Sequence, residues 1–272
     1  MKRFFKRLVI ISIYFIIFGA IGASIYYSIK PGPTCNDGQK NQKETGIDCG
    51  GTCGPCAKEI NAQDLRVEEK YFVYGSDNRF DVMAKISNPN DRYGVAKFNY
   101  EFKLVDQDGA VLSTETGESF ILPKESKYVI DLNLYSAINP YAVEFSMSDL
   151  VWEELLEYEE PKLNIYSKDY SEESDRNTVF GLLRNESYFD FNSLEVDIVL
   201  RGKDGKPVAL GRTEMRTIKS QEQRDFKFIW PYKFGNEVES VEVRAEADVF
   251  DSNNFIKEYL PREKFQDYGV YE

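Results

Sequence analysis

All four cysteines of this 272-residue chain lie in one short stretch, Cys35, Cys49, Cys53 and Cys56. They are its most reactive residues, and their spacing admits several chemistries. Cys53-Gly54-Pro55-Cys56 has the Cys-x-x-Cys spacing of a thiol exchange couple. That chemistry needs the first Cys at a helix N-terminus, where its thiolate is stabilised. Cys49-Gly50-Gly51-Thr52 precedes it and supplies neither a strand nor a helix start. A four-Cys zinc site needs two close pairs of ligands, and Cys35 and Cys49 do not make the second pair. A third reading is calcium, the one candidate ion in a chain that otherwise implies no cofactor. Asn36, Asp37, Asn41, Glu44 and Asp48 supply the hard oxygen donors calcium prefers. The spacing is not an EF-hand, since Gly38 in the sixth loop position would put Pro33 first and Cys35 third. The same Asn, Asp and Gly residues are also plain turn formers. A segment this short, with Ile47 as its single large aliphatic residue, cannot bury a core and needs cross-links. In an oxidising compartment the four cysteines read as two disulfides, and all three pairings stay open.

Other chemistry is thinly provided. The chain has no His, which excludes Ser-His-Asp and Cys-His catalysis and any His-ligated metal. Acidic clusters at Glu153-Glu154, Glu157 to Glu160 and Glu172-Glu173 fall in linker and loop positions, where a solvated face is the expected role. Paired carboxylates serve glycoside hydrolysis only when held across a cleft. Asn185-Glu186-Ser187 spells a glycosylation sequon. Lys97 and Lys103 are the nearest candidates for an isopeptide cross-link but fall on the polar face of their strand, so none is expected. The residues point to a non-enzymatic protein.

The elements that carry these residues begin with Leu8 to Ile29, an apolar run without a charge. As a helix it spans about 33 Å, enough for a bilayer core of roughly 30 Å. Lys2, Arg3, Lys6 and Arg7 precede it, which predicts a cytoplasmic N-terminus and an exported remainder. The reading is a signal-anchor with one membrane span; the rival is a cleaved signal sequence with small residues Ala20 and Gly22 near the cut. Tyr26 and Tyr27 sit near the outer boundary, and Gly19 and Ala23 form a small-residue pair that could pack two such helices. The chain carries 34 basic and 46 acidic residues, and all acids lie beyond residue 30. So acidic an exported part repels nucleic acid and anionic lipid.

The string from Cys35 to Cys56 reads Cys-x-Asp-Gly-x-x-Asn-x-x-Glu-x-Gly-x-Asp-Cys-Gly-Gly-x-Cys-x-x-Cys. It resembles a Cys-rich module of membrane-anchored bacterial surface proteins, often placed just outside a membrane segment. The resemblance implies a surface location and carries no activity with it.

Beyond a linker at 57 to 63 the chain repeats. Asn88 after Val82, Ala84 and Ile86 returns as Asn185 after Val179, Gly181 and Leu183. Phe98, Tyr100, Phe102 and Leu104 lead into Asp108-Gly109, and Leu194, Val196, Ile198 and Leu200 lead into Asp204-Gly205. Ile130, Leu132 and Leu134 return as Phe226, Phe228 and Trp230; Val143, Phe145 and Met147 as Val241, Val243 and Ala245; Trp152 as Phe250. Alternation at period two marks half-buried strands, and Asp-Gly between such runs marks hairpins. Trp152 and Trp230 read as core. Phe102-Lys-Leu104-Val-Asp106 resembles the F-x-L-Y-D signature of an immunoglobulin-like domain family, with Val105 in the Tyr place. The second repeat has Ile198-Val-Leu200-Arg-Gly202, without the Phe or the Asp. That family brings no catalytic residues.

The expected protein is mainly β, with an N-terminal transmembrane helix, a small disulfide-rich module and two tandem immunoglobulin-like β-sandwich domains. Its parts are a basic stub at 1–7, the helix at 8–29, the Cys-rich module and linker at 30–63, sandwiches at 64–156 and 163–256, a hinge at 157–162 between them, and a tail at 257–272. The expected work is binding or assembly at the cell envelope, with an envelope protein or glycan as partner and no nucleic acid. The alternatives are a stalk without a specific ligand and, remotely, a thiol oxidoreductase using Cys53 and Cys56.

Overall fold

The computed structural model describes residues 2–29, 35–41, 43–56, 60–156 and 160–258. Residues 157–159 of the 157–162 segment and 259–272 of the 257–272 tail therefore lie outside the described residues. The chain divides into two compact units, 1–60 and 61–272.

The first unit begins with α1, Lys2–Ile29. From Phe4 to Tyr26 every side chain is exposed, including Phe15 and Phe18, and mean hydropathy reaches 2.5. Among the described residues of the unit none covers this surface, so the helix has the character of a membrane anchor or a signal sequence. Ser12 Oγ donates to the carbonyl of Leu8 at 3.0 Å, so its hydroxyl needs no outside partner. The rest of the unit is the cysteine module.

The second unit is β throughout. Its first half holds β1 (Arg66–Tyr74), β2 (Arg79–Ser87), β3 (Tyr93–Val105), β4 (Val111–Ile121), β5 (Ser126–Tyr135) and β6 (Ala142–Glu154). These form two antiparallel sheets, β1-β2-β5 and β4-β3-β6. Its second half holds β7 (Leu163–Glu172), β8 (Asn177–Asn185), β9 (Phe189–Arg201), β10 (Pro207–Ile218), β11 (Gln223–Trp230) and β12 (Ser240–Glu246) in the same order, β7-β8-β11 and β10-β9-β12. Each pair of sheets closes on its own core. Val82, Ala84, Ile86, Phe98, Phe102 and Leu104 fill the first; Val179, Leu183, Val196, Ile198, Leu200 and Trp230 fill the second.

The duplication reaches single hydrogen bonds. Asn88 Nδ2 donates to the carbonyls of Tyr93 and Leu122, and Asn185 Nδ2 to those of Phe189 and Lys219. Each Asn Oδ1 accepts the N–H two residues on, from Asn90 or Ser187. Each repeat also lays an aromatic ring over a cross-strand glycine: Tyr100 over Gly117, and Phe226 over Gly181. A Cβ on either glycine would fall within 2.5 Å of that ring, so a side chain cannot be added without displacing it.

Two of the sequence pairings shift. Phe226 lies opposite Gly181 and its counterpart is Val129, opposite Ala84. Ile130 and Leu132 point out of the first sandwich. Likewise Trp152 pairs with Val95 on β3, and the residue in that place in the second repeat is Phe255, opposite Phe191. Strand β6 runs unbroken, whereas its equivalent is split into β12 and β13 (Phe255–Glu258) by an excursion. Phe250, in that excursion, packs on Phe120 and over Gly94 of the first sandwich.

The outward residues of β5 are covered by the second sandwich. Val73, Met83, Tyr128 and Ile130 meet Val199 and Leu210 in a third buried cluster. The sheets β1-β2-β5 and β10-β9-β12 thus have apolar groups on both faces.

Candidate functional site

Three features could do work: the cysteine module, the polar seam between the sandwiches, and a cleft beside β12.

In the module, Cys35 bonds Cys53 and Cys49 bonds Cys56. The two loops interlace. Cys53 and Cys56 sit in different bridges, so the Cys-x-x-Cys exchange couple is not assembled, and no thiolate is left for zinc. The oxygen-rich residues serve the backbone. The Asp48 carboxylate accepts the N–H groups of Asp37 and Gly38 at 2.9–3.1 Å. Asp37 accepts from the Gln39 N–H and from Asn41 Nδ2. Glu44, buried, accepts the N–H groups of Asn41 and Asp48. Asn36 lies in the turn beside Cys35. Among the described residues the one close trio of ligand-type side chains is Cys35, Glu44 and Cys53, and its two sulfurs are bonded to each other. The carboxylates of the donor set are thus engaged with N–H groups of the loop itself, while Asn41 Oδ1 is buried without a hydrogen-bond partner among the described residues. The glycines complete the logic. Gly50 and Gly51 have φ of +79° and +61°, and a Cβ there would meet Thr45 Oγ1 at 1.9 Å or the Lys43 carbonyl oxygen at 2.3 Å. The motif specifies a self-supporting loop.

The seam carries charge that composition alone does not reveal. Arg201, 12 % exposed, clamps Glu69 from the other sandwich with both terminal nitrogens at 2.8–2.9 Å. Its Nε donates to Glu242 at 2.7 Å. Tyr128 Oη donates to the same carboxylate at 2.5 Å. Lys127 Nζ, fully buried, lies 2.7 Å from Glu246 and 3.9 Å above the Phe120 ring. Burial is the largest influence and works against the Lys127 charge, but Glu246, Glu125 and Glu195 together outweigh it and hold the pKa above the usual lysine range. Asp197 is paired with Arg212 at 2.7 Å, yet burial pushes its pKa up to about 6. Asp81 is also pushed up to about 6 by burial, against one hydrogen bond from the Asn133 N–H. Apart from Asp81, whose one hydrogen bond among the described residues comes from the Asn133 N–H, these groups are structural partners of one another.

The cleft, about 740 Å³, is bounded by β7, β12 and the turn between β4 and β5. Leu163, Ile165 and Val243 line it beside Lys168 and Arg244. The Arg244 guanidinium is anchored on the Ser126 carbonyl.

The remaining candidate residues have plain roles. Trp230 is buried and donates from Nε1 to the Leu210 carbonyl at 2.8 Å, while Trp152 packs half-buried on the first core. Lys97 and Lys103 pair with Glu118 and Glu101 on the exposed face. Asn185, the sequon residue, is wholly buried in its clamp. The seam was missed from the sequence, although it left a signal. Val82-Met83-Ala84, Tyr128-Val129-Ile130 and Ile198-Val199-Leu200 are unbroken apolar runs, which mark strands covered on both faces.

No family model and no curated protein matches the chain. Among solved structures, red sea bream transglutaminase matches at 11% identity and a TM-score of 0.24, over 64% of this chain and 27% of that one. The aligned part is thus about a quarter of that enzyme, and at this score the likeness carries no argument about fold or function.

Proposed function

We propose that the protein is a non-enzymatic, membrane-anchored module for binding or assembly on the outside of the cell. In this reading α1 is a single-span anchor with a cytoplasmic N-terminus, the cysteine module is a covalent collar, and the sandwiches are the working part. The observation that carries it is the seam. Two immunoglobulin-sized sandwiches are joined through a third apolar cluster and bridging ion pairs, which fixes their free strand edges and loops in one rigid frame. Rigid presentation lowers the ordering cost of binding an envelope protein or glycan. A spacer would gain reach from sandwiches joined end to end, and these are joined face to face.

Two measurements test the reading. With α1 as an anchor, the intact chain stays in carbonate-washed membranes and the sandwiches are digested by protease added to whole cells. Release of a shortened chain into the medium would instead mark α1 as a signal sequence. Affinity capture from envelope extracts should recover a defined protein or glycan. Normal function after replacing both sandwiches by unrelated ones would favour the spacer.

A further inference from the structure

The duplication makes each sheet of one sandwich the counterpart of a sheet in the other. In the seam the outer face of β1-β2-β5 packs on the outer face of β10-β9-β12, so the sandwiches meet through non-equivalent faces. A contact of that kind leaves one outer face of each sandwich over: β4-β3-β6 on the first and β7-β8-β11 on the second. The first of these is polar. Lys103 and Thr114 stand opposite each other there, where the seam has Val199 and Leu210. The second keeps an apolar centre. Its row Asp169–Phe180–Lys227 matches the seam row Tyr71–Met83–Ile130. Met83 is fully covered by the second sandwich, whereas Phe180 in the same place is 42% exposed. Ile229, two residues past Lys227 as Leu132 is past Ile130, is 43% exposed. Leu182, next to Phe180 on the same face of β8, is half-buried.

The charges on this face say what covers it. Asp169 and Lys227 flank Phe180 from β7 and β11, two strand spacings or roughly 10 Å apart, and both are exposed. A two-fold axis lying along β8 sets β7 of each copy over β11 of the other. Asp169 then faces Lys227 of the second copy, twice over, while Phe180 and Leu182 each face themselves. Arg184, the charge on β8 that would also face itself, has Glu186 4.0 Å away. Of the four outer sheet faces of the β unit, two are taken up in the seam and one is polar, so this face is the apolar surface left for a second copy to match. We propose that the protein forms a two-fold dimer through the outer face of β7-β8-β11, with Phe180 against Phe180. A three-stranded face is smaller than the roughly 800 Å² per partner of stable complexes, so the pairing depends on concentration.

Sedimentation of the full chain in detergent, over a concentration series, should show a monomer–dimer equilibrium. Asp169→Lys and Lys227→Asp each set like charges against one another on both sides of the axis, and each should weaken the dimer about tenfold. An equimolar mixture of the two variants restores opposite charges across the axis and should dimerise within about threefold of the parent chain. A chain that stays monomeric, a dimer that neither substitution weakens, or weakening without rescue in the mixture would overturn the proposal. If the variants do not fold, a photo-crosslinking p-benzoylphenylalanine in place of Phe180 in the otherwise unchanged chain decides, with one copy isotope-labelled. Linkage between position 180 and residues 178–184 of a second copy supports the dimer. Linkage only to other surfaces, or none, overturns it.

Discussion

At the scale of single residues, the clearest device is the asparagine that closes each repeat. Asn88 and Asn185 each tie two carbonyls and one N–H from different segments, with almost no access to water. Losing one leaves buried groups unpaired, so Asn88→Ala or Asn185→Ala should each cost about 2–4 kcal/mol by denaturant unfolding. The same burial predicts that Asn185 stays unmodified in a glycosylating host, read as an unchanged intact mass. Asp81 gives a pH signature. Its folded pKa of about 6 lies above the ordinary value of 3.8, so the folded state holds the proton more tightly than the unfolded chain. The penalty for its charge is fully present above pH 6 and is relieved as pH falls toward 4, by up to about 3 kcal/mol. Asp81→Asn keeps an acceptor for the Asn133 N–H. It should raise stability at pH 7.5 and flatten the difference between pH 7.5 and pH 4.5; an unchanged pH profile would refute this account. Burial of this kind is not legible in sequence, because a carboxylate between Phe80 and Val82 reads as a solvent-facing position of the strand.

At the scale of elements, local pattern carried most of the information. Period-two alternation located the strands, and Asp-Gly located the β3–β4 and β9–β10 hairpins, whose Gly109 and Gly205 have φ of +80° and +77°. Repeat matching slipped by one residue in β5, since an apolar residue on each face makes two registers look equally good. It slipped again at Phe250, because the excursion between β12 and β13 inserts residues with no counterpart in β6. In the cysteine module the residue types announced cross-links but not their partners. Peptide mapping without reductant should return Cys35–Cys53 and Cys49–Cys56. Replacing Gly50 by Ala, which drives a Cβ into Thr45, should scramble that pairing or slow its formation.

At the scale of the whole β unit, the decisive contacts join residues more than a hundred positions apart, such as Arg201 with Glu69. No local window contains them, which is why sequence reading yields two sandwiches and leaves their packing open. The seam predicts shared stability. The two sandwiches should melt in one calorimetric transition, since each buries a sheet face against the other. Ile130→Asp would place a carboxylate in the dry centre of the seam, costing several kcal/mol, and should split the melt into two. A single unshifted transition in that variant would show that the sandwiches do not depend on each other.

The crossing of the two disulfides has a mechanical consequence. A pull along the chain from Cys35 to Cys56 does not run through the loop between them. It jumps from Cys35 to Cys53 across one sulfur bridge and continues through Gly54 and Pro55. The tether is therefore nearly inextensible while oxidised. Opening both bridges, as a reductant does, would pay out roughly 55 Å of slack, at about 3.4 Å per residue, and turn a short stiff segment into a long loose one.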